Sequence, residues 1–310
     1  MDLRLLFLGT AGATPTVDRG CSATLLIRGG ERILIDCGEG TQRQLMKSAG
    51  LARINMILLT HLHGDHYLGL PGLLKTWSLM GRTEPLLLYG PDGLYELMRD
   101  AERLIGRPHF PLLVEEAAPG IVLEGEDYWL KAASVDHGIP GLAWCLEEQS
   151  RPGLFRPEWA TALGVAPGPA FGRLQRGETV VTVDGREVHP GEVMESSRQG
   201  RKVVVSGDTR PADTVITLAT GASVLVHEAT FGWDENDRAI ETRHSTAREA
   251  AEVARAAGVG LLVLTHISSR HNWRELRAEA RAVFPNTVLP RDFDVLMVPY
   301  PEKGVAHIER

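Results

Sequence analysis

Hydrophobic residues fall in short blocks along this chain, and many blocks end abruptly in Gly, Asp or His. Residues 3–8 form an apolar run followed by Gly9-Thr10-Ala11-Gly12-Ala13-Thr14-Pro15. Residues 21–28 and 32–36 are two further blocks, joined by glycine-rich turns. Such short runs with Gly punctuation predict strands in hairpin connection. Residues 39–49 have helical composition, and residues 56–59 form another strand block. A helix is expected over residues 70–80, with Pro71 in its first turn, and a short strand over 85–89. Apolar Leu94, Leu97, Met98 and Leu104 recur at helical spacing and predict a helix over 94–105. The loop at residues 9–15 lacks the Lys-Ser/Thr ending of a phosphate-cradling loop and reads as a turn.

The second half repeats one unit: strand, then polar residue. Residues 128–135 run into Asp136-His137, 203–205 into Ser206-Gly207-Asp208, 224–226 into His227-Glu228, and 261–264 into Thr265-His266. Residues 179–183 and 186–189 flank Asp184-Gly185 and predict a hairpin. A helix over 245–257 can be capped by Ser245 or Thr246, with Glu249 completing a capping box and Gly258 ending it. Residues 273–284 form a further helix. Residues 150–177 depart from the pattern, being rich in proline and glycine. Between residues 151 and 177, Arg151, Arg156, Arg173 and Arg176 face a single acid, Glu158. This segment reads as a protruding basic arm on one large domain spanning 1–310, with a plain surface insertion as the bland alternative.

Composition narrows the classes. The 310 residues are 43% hydrophobic and 24% charged, values of a soluble globular protein. No apolar run approaches the roughly 20 residues that span a bilayer. Cys21, Cys37 and Cys145 are odd in number and irregular in spacing, which argues for a reducing, cytoplasmic setting and against thiolate metal sites. A net charge of −7 excludes a generally basic nucleic-acid binder. Any nucleic-acid contact must come from a local basic surface such as the arm.

Residues 60–66, Thr-His-Leu-His-Gly-Asp-His, put three imidazoles and a carboxylate within six positions. His and Asp are costly to bury unless paired or metal-bound. Their spacing suits a tight loop after a strand, with Gly64 at the turn. Asp36, His61, His137, Asp208, Glu228 and His266 each stand at or just past the C-terminal end of an expected strand, where ligands gather in layered α/β folds. His61, His63 and His137 can make one three-nitrogen metal site. Asp65, His66 and His266 can make a second, and Asp208 can bridge them, leaving room for a shared water. Such a donor set suits two Zn²⁺, with Mn²⁺ or Fe²⁺ less favoured. Two ions about 3.5–4 Å apart would clamp the attacking and leaving oxygens of a phosphodiester. His109, His189, His271 and His307 are expected to be structural or exposed. His227 should point away from Glu228 across its strand.

Phe-Leu-Gly-Thr at 7–10, Leu-Ile-Asp-Cys-Gly-Glu-Gly-Thr-Gln-Arg-Gln-Leu at 34–45, the 60–66 motif, Ser-Gly-Asp-Thr at 206–209, His-Glu-Ala-Thr at 227–230 and Thr-His-Ile-Ser-Ser-Arg at 265–270 resemble the metallo-β-lactamase superfamily. Within it they resemble the ribonuclease Z family of tRNA 3′-processing endonucleases. The resemblance implies an αββα sandwich of two mixed sheets with outer helices. It implies that His61, His63 and His137 bind one zinc, that Asp65, His66 and His266 bind the other, and that Asp208 bridges. Asp65 would also accept a proton. Glu228 would orient His244, which would protonate the leaving oxygen. Asp36 would orient metal ligands from behind. The substrate would be precursor tRNA, gripped by the arm, commonly that of a partner subunit in a homodimer. Where many members carry Pro-x-Lys-x-Arg-Asn, this chain keeps Pro15 and Arg19, a substrate-contact candidate, but has Val17 and Gly20. Cleavage after the discriminator nucleotide and after CCA are both compatible with that change. Two other classes are a hydrolase of small phosphodiesters or sulfate esters, in which the arm would have no purpose, and a non-catalytic RNA-binding protein.

Overall fold

The computed structural model describes residues 1–51 and 53–309. In chain order the first strands are β1 Leu3–Gly9, β2 Ala23–Arg28, β3 Glu31–Ile35, β4 Met56–Leu58, β5 Leu86–Gly90 and β6 Leu112–Glu116. They continue with β7 Gly120–Glu124, β8 Tyr128–Ser134, β9 Leu142–Glu148, β10 Val180–Val181, β11 Glu187–Val188, β12 Lys202–Val205, β13 Val224–Glu228 and β14 Leu262–Thr265. The last are β15 Thr287–Val288, β16 Val295–Met297 and β17 His307–Ile308. The helices are α1 Thr41–Lys47, α2 Gly64–Tyr67, α3 Leu70–Leu79, α4 Leu94–Ile105, α5 Pro157–Ala162, α6 Pro169–Gln175, α7 Pro190–Val193, α8 Asp213–Ala219, α9 Asn236–Thr242, α10 Ala247–Ala257 and α11 Trp273–Val283.

The chain divides into two compact units. One comprises Met1–Glu147 with Arg201–Arg310, the other Glu148–Gly200. The larger unit holds two mixed sheets, ordered β17-β16-β1-β2-β3-β4-β5-β6 and β15-β14-β13-β12-β9-β8-β7. In the first, β3 to β6 run parallel while β1 and β2 are antiparallel neighbours. In the second, β12 to β15 run parallel and β9 joins β12 antiparallel.

Burial explains the layers. Leu3, Leu5 and Phe7 of β1 pack with Trp144, Val203 and Val226 of the other sheet, forming the core between the sheets. Leu6 and Leu8, on the opposite face of β1, pack under α1, α3 and α4 with Leu45, Leu73 and Met98. Because β1 is covered on both faces, its sequence reads as an unbroken apolar run. On the far side, Leu225 and Leu262 pack against Val215, Ala250, Val253 and Leu276 of α8, α10 and α11. The result is an αββα sandwich. Among the described residues no helix is long and apolar enough to cross a membrane, and the three cysteines are buried free thiols.

The unit Glu148–Gly200 has its own small core of Ala160, Val165, Leu174, Val180, Val188 and Val193. It therefore extends beyond the expected arm at 151–177 and includes the β10–β11 hairpin, whose Val180 and Val188 belong to that core. Its chain ends lie together: a Cβ on Gly200 would meet the Glu148 carbonyl oxygen at 2.3 Å. Arg151 and Phe155 bridge to Arg198 and Met194 across the same neck.

Two glycines set the loop that carries the 60–66 motif. A Cβ on Gly38 would lie 2.2 Å from the Asp65 carbonyl oxygen, and one on Gly69 would lie 2.2 Å from the Gly38 carbonyl oxygen. The turns after β3 and β4 thus interlock backbone to backbone. Gly38→Ala is expected to lower stability by about 1–3 kcal/mol through overpacking and to reduce bound zinc. Gly40→Ala, at φ 84° in open space, is expected to cost about 1–2 kcal/mol of left-handed backbone strain with zinc retained. Urea unfolding and metal analysis of the two variants check this; equal zinc in both would show that the Gly38 contact does not hold the loop.

Candidate metal centre and active site

All the strand-end residues meet at one edge of the sandwich. Asp36, φ 59°, follows β3, His61 follows β4, and His137 follows β8. Asp208 follows β12, Glu228 is the last residue of β13, and His266, φ 57°, follows β14. Parallel strands of both sheets end here, so their loops converge. The stretch after β4 is more regular than the spacing suggested. Gly64–Tyr67 closes one helical turn with His63 as N-cap. Gly64 has no left-handed φ among the glycines that do, so it is not the sharp-turn glycine expected. A single turn places Asp65 and His66 side by side beyond His61 and His63, and it is too short to leave a periodic signature.

The ring nitrogens carry the argument. His66 Nδ1 lies 2.7 Å from Asp36 Oδ2, His137 Nδ1 lies 2.8 Å from the Arg243 carbonyl, and His266 Nδ1 lies 2.8 Å from Thr230 Oγ1. Carboxylate and carbonyl oxygens only accept, so those nitrogens of His66 and His137 carry the proton. His61 Nδ1 lies 3.1 Å from Thr60 Oγ1, whose hydroxyl is within 3.0 Å of both Asp36 oxygens. In the neutral ring each Nε2 is then left with the lone pair. These lone pairs are aimed into one space: His66 Nε2 is 3.4 Å from His266 Nε2, and His137 Nε2 is 3.2 Å from His63 Nδ1. The buried His61 Nε2 has no hydrogen-bond partner. Facing lone pairs and an orphaned buried nitrogen fit a cation between them, with an outer shell that fixes each tautomer.

The acceptor atoms sort into sets. His61, His63, His137 and Asp208 each offer an atom within 4.8 Å of the others, and so do Asp65, His66 and His266. Asp208 Oδ2 is 3.5 Å from His61 Nε2, 3.5 Å from His66 Nε2 and 3.4 Å from His266 Nε2, touching both sets. Burial opposes charge on Asp208, yet the surrounding His266, His66 and His61 hold its carboxyl well below the usual range. Burial also opposes charge on Asp65, and the neighbouring His266 and His66 outweigh it and hold its carboxyl well below the usual range. Desolvation and neighbouring imidazoles push His61 toward the neutral form that binds metal. Nitrogen and oxygen donors without thiolate suit Zn²⁺. The third set, Asp208, His244 and His266, joins the centre to its neighbour His244.

His244 stacks on His266 with ring centroids 5.5 Å apart and planes at 17°. Its Nδ1 lies 2.8 Å from Glu228 Oε1. Burial lowers its pKa, but the Glu228 charge and hydrogen bond win and raise it to about 9. A clamp holds this residue in place. Arg210 donates to the His244 carbonyl at 2.7 Å and pairs through both terminal nitrogens with Glu249. Glu249 accepts from the Thr246 backbone at 2.9 Å in the capping box of α10, so Thr246 rather than Ser245 is the cap. Arg210 does not stand out in the sequence and Thr230 appears there only as the end of the His-Glu-Ala-Thr stretch, because their roles emerge only once distant loops meet.

The turn at residues 9–15 also reaches the site. The Ala13 backbone donates to Asp65 Oδ2 at 3.0 Å, and Gly12 passes so close that a Cβ would meet the His266 carbonyl at 2.7 Å. The glycines of that turn were the available signal. Arg19 donates to Thr10 Oγ1 and to the Pro290 carbonyl at 2.9 Å, so part of its guanidinium serves the fold. It lines a cleft of about 310 Å³ with Arg43, Lys47 and Phe293. His227 is fully buried and donates to the Glu228 carbonyl at 2.8 Å, away from the centre. His109, His189 and His307 are exposed, and His271 lies 2.8 Å from Glu235.

The arm arginines belong to the Glu148–Gly200 unit, and their charge is matched there. Arg173 and Arg176 share Glu178, and Arg156 pairs with Glu195 and Glu158. Arg151 reaches the Gln199 carbonyl at 3.4 Å. Over the whole unit six arginines face seven acids. The positive excess over 151–177 disappears only across the whole unit, where Glu148, Glu178, Asp184, Glu187, Glu192 and Glu195 are added against Arg186 and Arg198.

A model of the metallo-β-lactamase superfamily matches residues 16–266. Ribonuclease Z of Gemmatimonas aurantiaca is 47% identical over 297 residues, 94% of this chain and 95% of that one. The chain belongs to the ribonuclease Z family. Ribonuclease Z of Natronomonas pharaonis is 44% identical over 308 residues, covering 98% of this chain and 100% of that one. Among solved structures, human tRNase Z, short form, superposes with a TM-score of 0.70 at 30% identity over 96% of this chain and 99% of that one. A diphosphatase of the PhnP family shares the fold at a TM-score of 0.65 but only 16% identity. The fold alone thus does not choose the substrate; membership of the ribonuclease Z family is carried by identity along nearly the whole chain.

Proposed function

We propose that this chain is a zinc-dependent endoribonuclease that hydrolyses a phosphodiester near the 3′ end of precursor tRNA. Its products are a tRNA with a 3′-hydroxyl and a trailer with a 5′-phosphate. The observation that carries the reading is the 2.8 Å pair of His244 and Glu228 beside two sets of metal donors, in a chain of the ribonuclease Z family. His61, His63 and His137 would hold one Zn²⁺ and Asp65, His66 and His266 the other, with Asp208 shared. Bound there, the ions supply a hydroxide nucleophile near neutral pH and offset negative charge on the phosphoryl oxygens.

The chain's own residues do the rest. Asp36 orients His66 and, through Thr60, His61. Asp65, fixed by the Ala13 backbone, is placed to take up the proton of the attacking water. His244 gives its Nε2 proton to the departing 3′ oxygen while Glu228 holds Nδ1 and stabilises the cationic form. The Glu148–Gly200 unit grips the tRNA away from the cut, in a homodimer where the grip comes from the partner subunit. Its arginine pairs are exposed at Glu178 and half-buried at Glu195, and solvent-exposed pairs are worth only about 0–1 kcal/mol, so RNA phosphates can displace Glu178 most readily. Arg19 contributes from the cleft side.

The compact unit defines the deletion to make. Residues 149–199 are replaced by a short Gly-Ser link, which the adjacency of Glu148 and Gly200 permits, whereas removing 151–177 alone would strip half of the small core. Loss of precursor-tRNA cleavage with hydrolysis of a chromogenic phosphodiester retained is expected. Undiminished tRNA cleavage would remove the unit's role in gripping substrate. For the acid, activity is expected to fall as pH rises through the His244 pKa, because only the protonated ring can donate. Glu228→Gln removes the charge that raises that pKa, so the alkaline limb moves down by about one unit or more. An alkaline limb at the same pH in both proteins would end the acid role of His244.

A further inference from the structure

Thr230 closes the His-Glu-Ala-Thr stretch just past β13, and it is buried. Its hydroxyl touches three groups of the site: Glu228 Oε2 at 2.6 Å, His266 Nδ1 at 2.8 Å and His244 Nδ1 at 3.3 Å. A hydroxyl carries one proton and can accept through its lone pairs. The shortest contact is to a carboxylate, a charge-assisted bond, so the proton goes to Glu228. The same oxygen must then accept, and the imidazole at 2.8 Å is the donor. His266 is thereby fixed with its proton on Nδ1. Its Nε2 keeps the lone pair and faces Asp65 Oδ2 at 3.2 Å and Asp208 Oδ2 at 3.4 Å.

Two of the other ligand holders differ in kind, while Thr60 holds His61 through Asp36 as Thr230 holds His266 through Glu228. Asp36 and the Arg243 carbonyl are acceptors whatever their surroundings, so His66 and His137 have fixed tautomers without further help. Thr230 accepts from His266 only because Glu228 takes its proton. Turned round, the hydroxyl would donate to Nδ1 and leave the proton on Nε2, where a metal must bind. Glu228 is itself fully engaged: Oε1 takes the Thr209 backbone at 2.9 Å and His244 at 2.8 Å, and Oε2 takes Thr230. One buried carboxylate therefore governs His244 directly and His266 by relay.

We propose that Thr230 is a positioning residue that couples the Glu228–His244 pair to the Asp65–His66–His266 metal set, by holding His266 as an Nε2 donor. The proposal rests on the two-metal reading above, and its test separates the two. Wild-type full-length chain, Thr230→Ser, Thr230→Val and Thr230→Ala are titrated with zinc against a chromogenic chelator, and Co²⁺ spectra are recorded for each. Wild type and Thr230→Ser are expected to bind two ions per chain with the same affinities and the same spectrum. Thr230→Val, which keeps the shape and loses the hydroxyl, is expected to weaken one of the two sites by about 10–100-fold and to change the Co²⁺ bands of that site alone. Thr230→Ala serves if the valine variant does not fold, with the same weakening expected. Wild-type affinities at both sites in the valine or alanine variant would overturn the proposal, as would equal weakening in Thr230→Ser. Fewer than two ions in the wild-type chain would overturn the two-metal reading, and this inference with it.

Discussion

Imidazole nitrogens whose lone pairs face one another repel, and a protein gathers them only where positive charge will sit between them. That constraint organises this molecule. His61, His66, His137 and His266 each turn one nitrogen outward to an acceptor and the other inward to a shared space. The acceptors come from separate parts of the chain: Asp36 after β3, Thr60 after β4, Arg243 after α9 and Thr230 after β13. The carboxylates Asp65 and Asp208 complete the space with negative charge. Without a cation the cluster is frustrated. With one, each buried group has a partner.

The rest of the fold serves that arrangement. Two mixed sheets bring the ends of five parallel strands to one edge, and hydrophobic burial between and outside the sheets fixes their register. At that edge backbone approaches backbone more closely than any side chain would allow, at Gly38, Gly69 and Gly12. The loops are therefore held by packing rather than by the metal alone, which preorganises the donors. The Arg210–Glu249 clamp extends the same rigidity to His244, at the rim of the site.

Much of this was legible in the sequence because parallel strands are short apolar runs whose polar residues fall at their ends. His61, Asp208, Glu228 and His266 announce themselves in that way, and α4 and α10 by periodicity and capping. Other features carry no local signal. The one-turn helix α2 is shorter than a hydrophobic period. The strands β16 and β17 are three and two residues long and owe their existence to pairing, β16 with β1 and β17 with β16 at the sheet edge. Thr230, Arg210 and Ala13 reach His266, His244 and Asp65, which lie 34 to 52 residues away. The arm misled because charge was counted along the chain, while its acids reach back from Glu178 and Glu195 to the arginines.

The central claim is that two cations occupy the space enclosed by these nitrogens and carboxylates. Anomalous diffraction at the zinc absorption edge, from crystals of the zinc-loaded chain, tests it directly. Two peaks about 3.5–4 Å apart are expected, one beside His61, His63 and His137 and the other beside Asp65, His66 and His266, with Asp208 against both. A single peak, or zinc bound elsewhere with these side chains in contact as they stand, would contradict it.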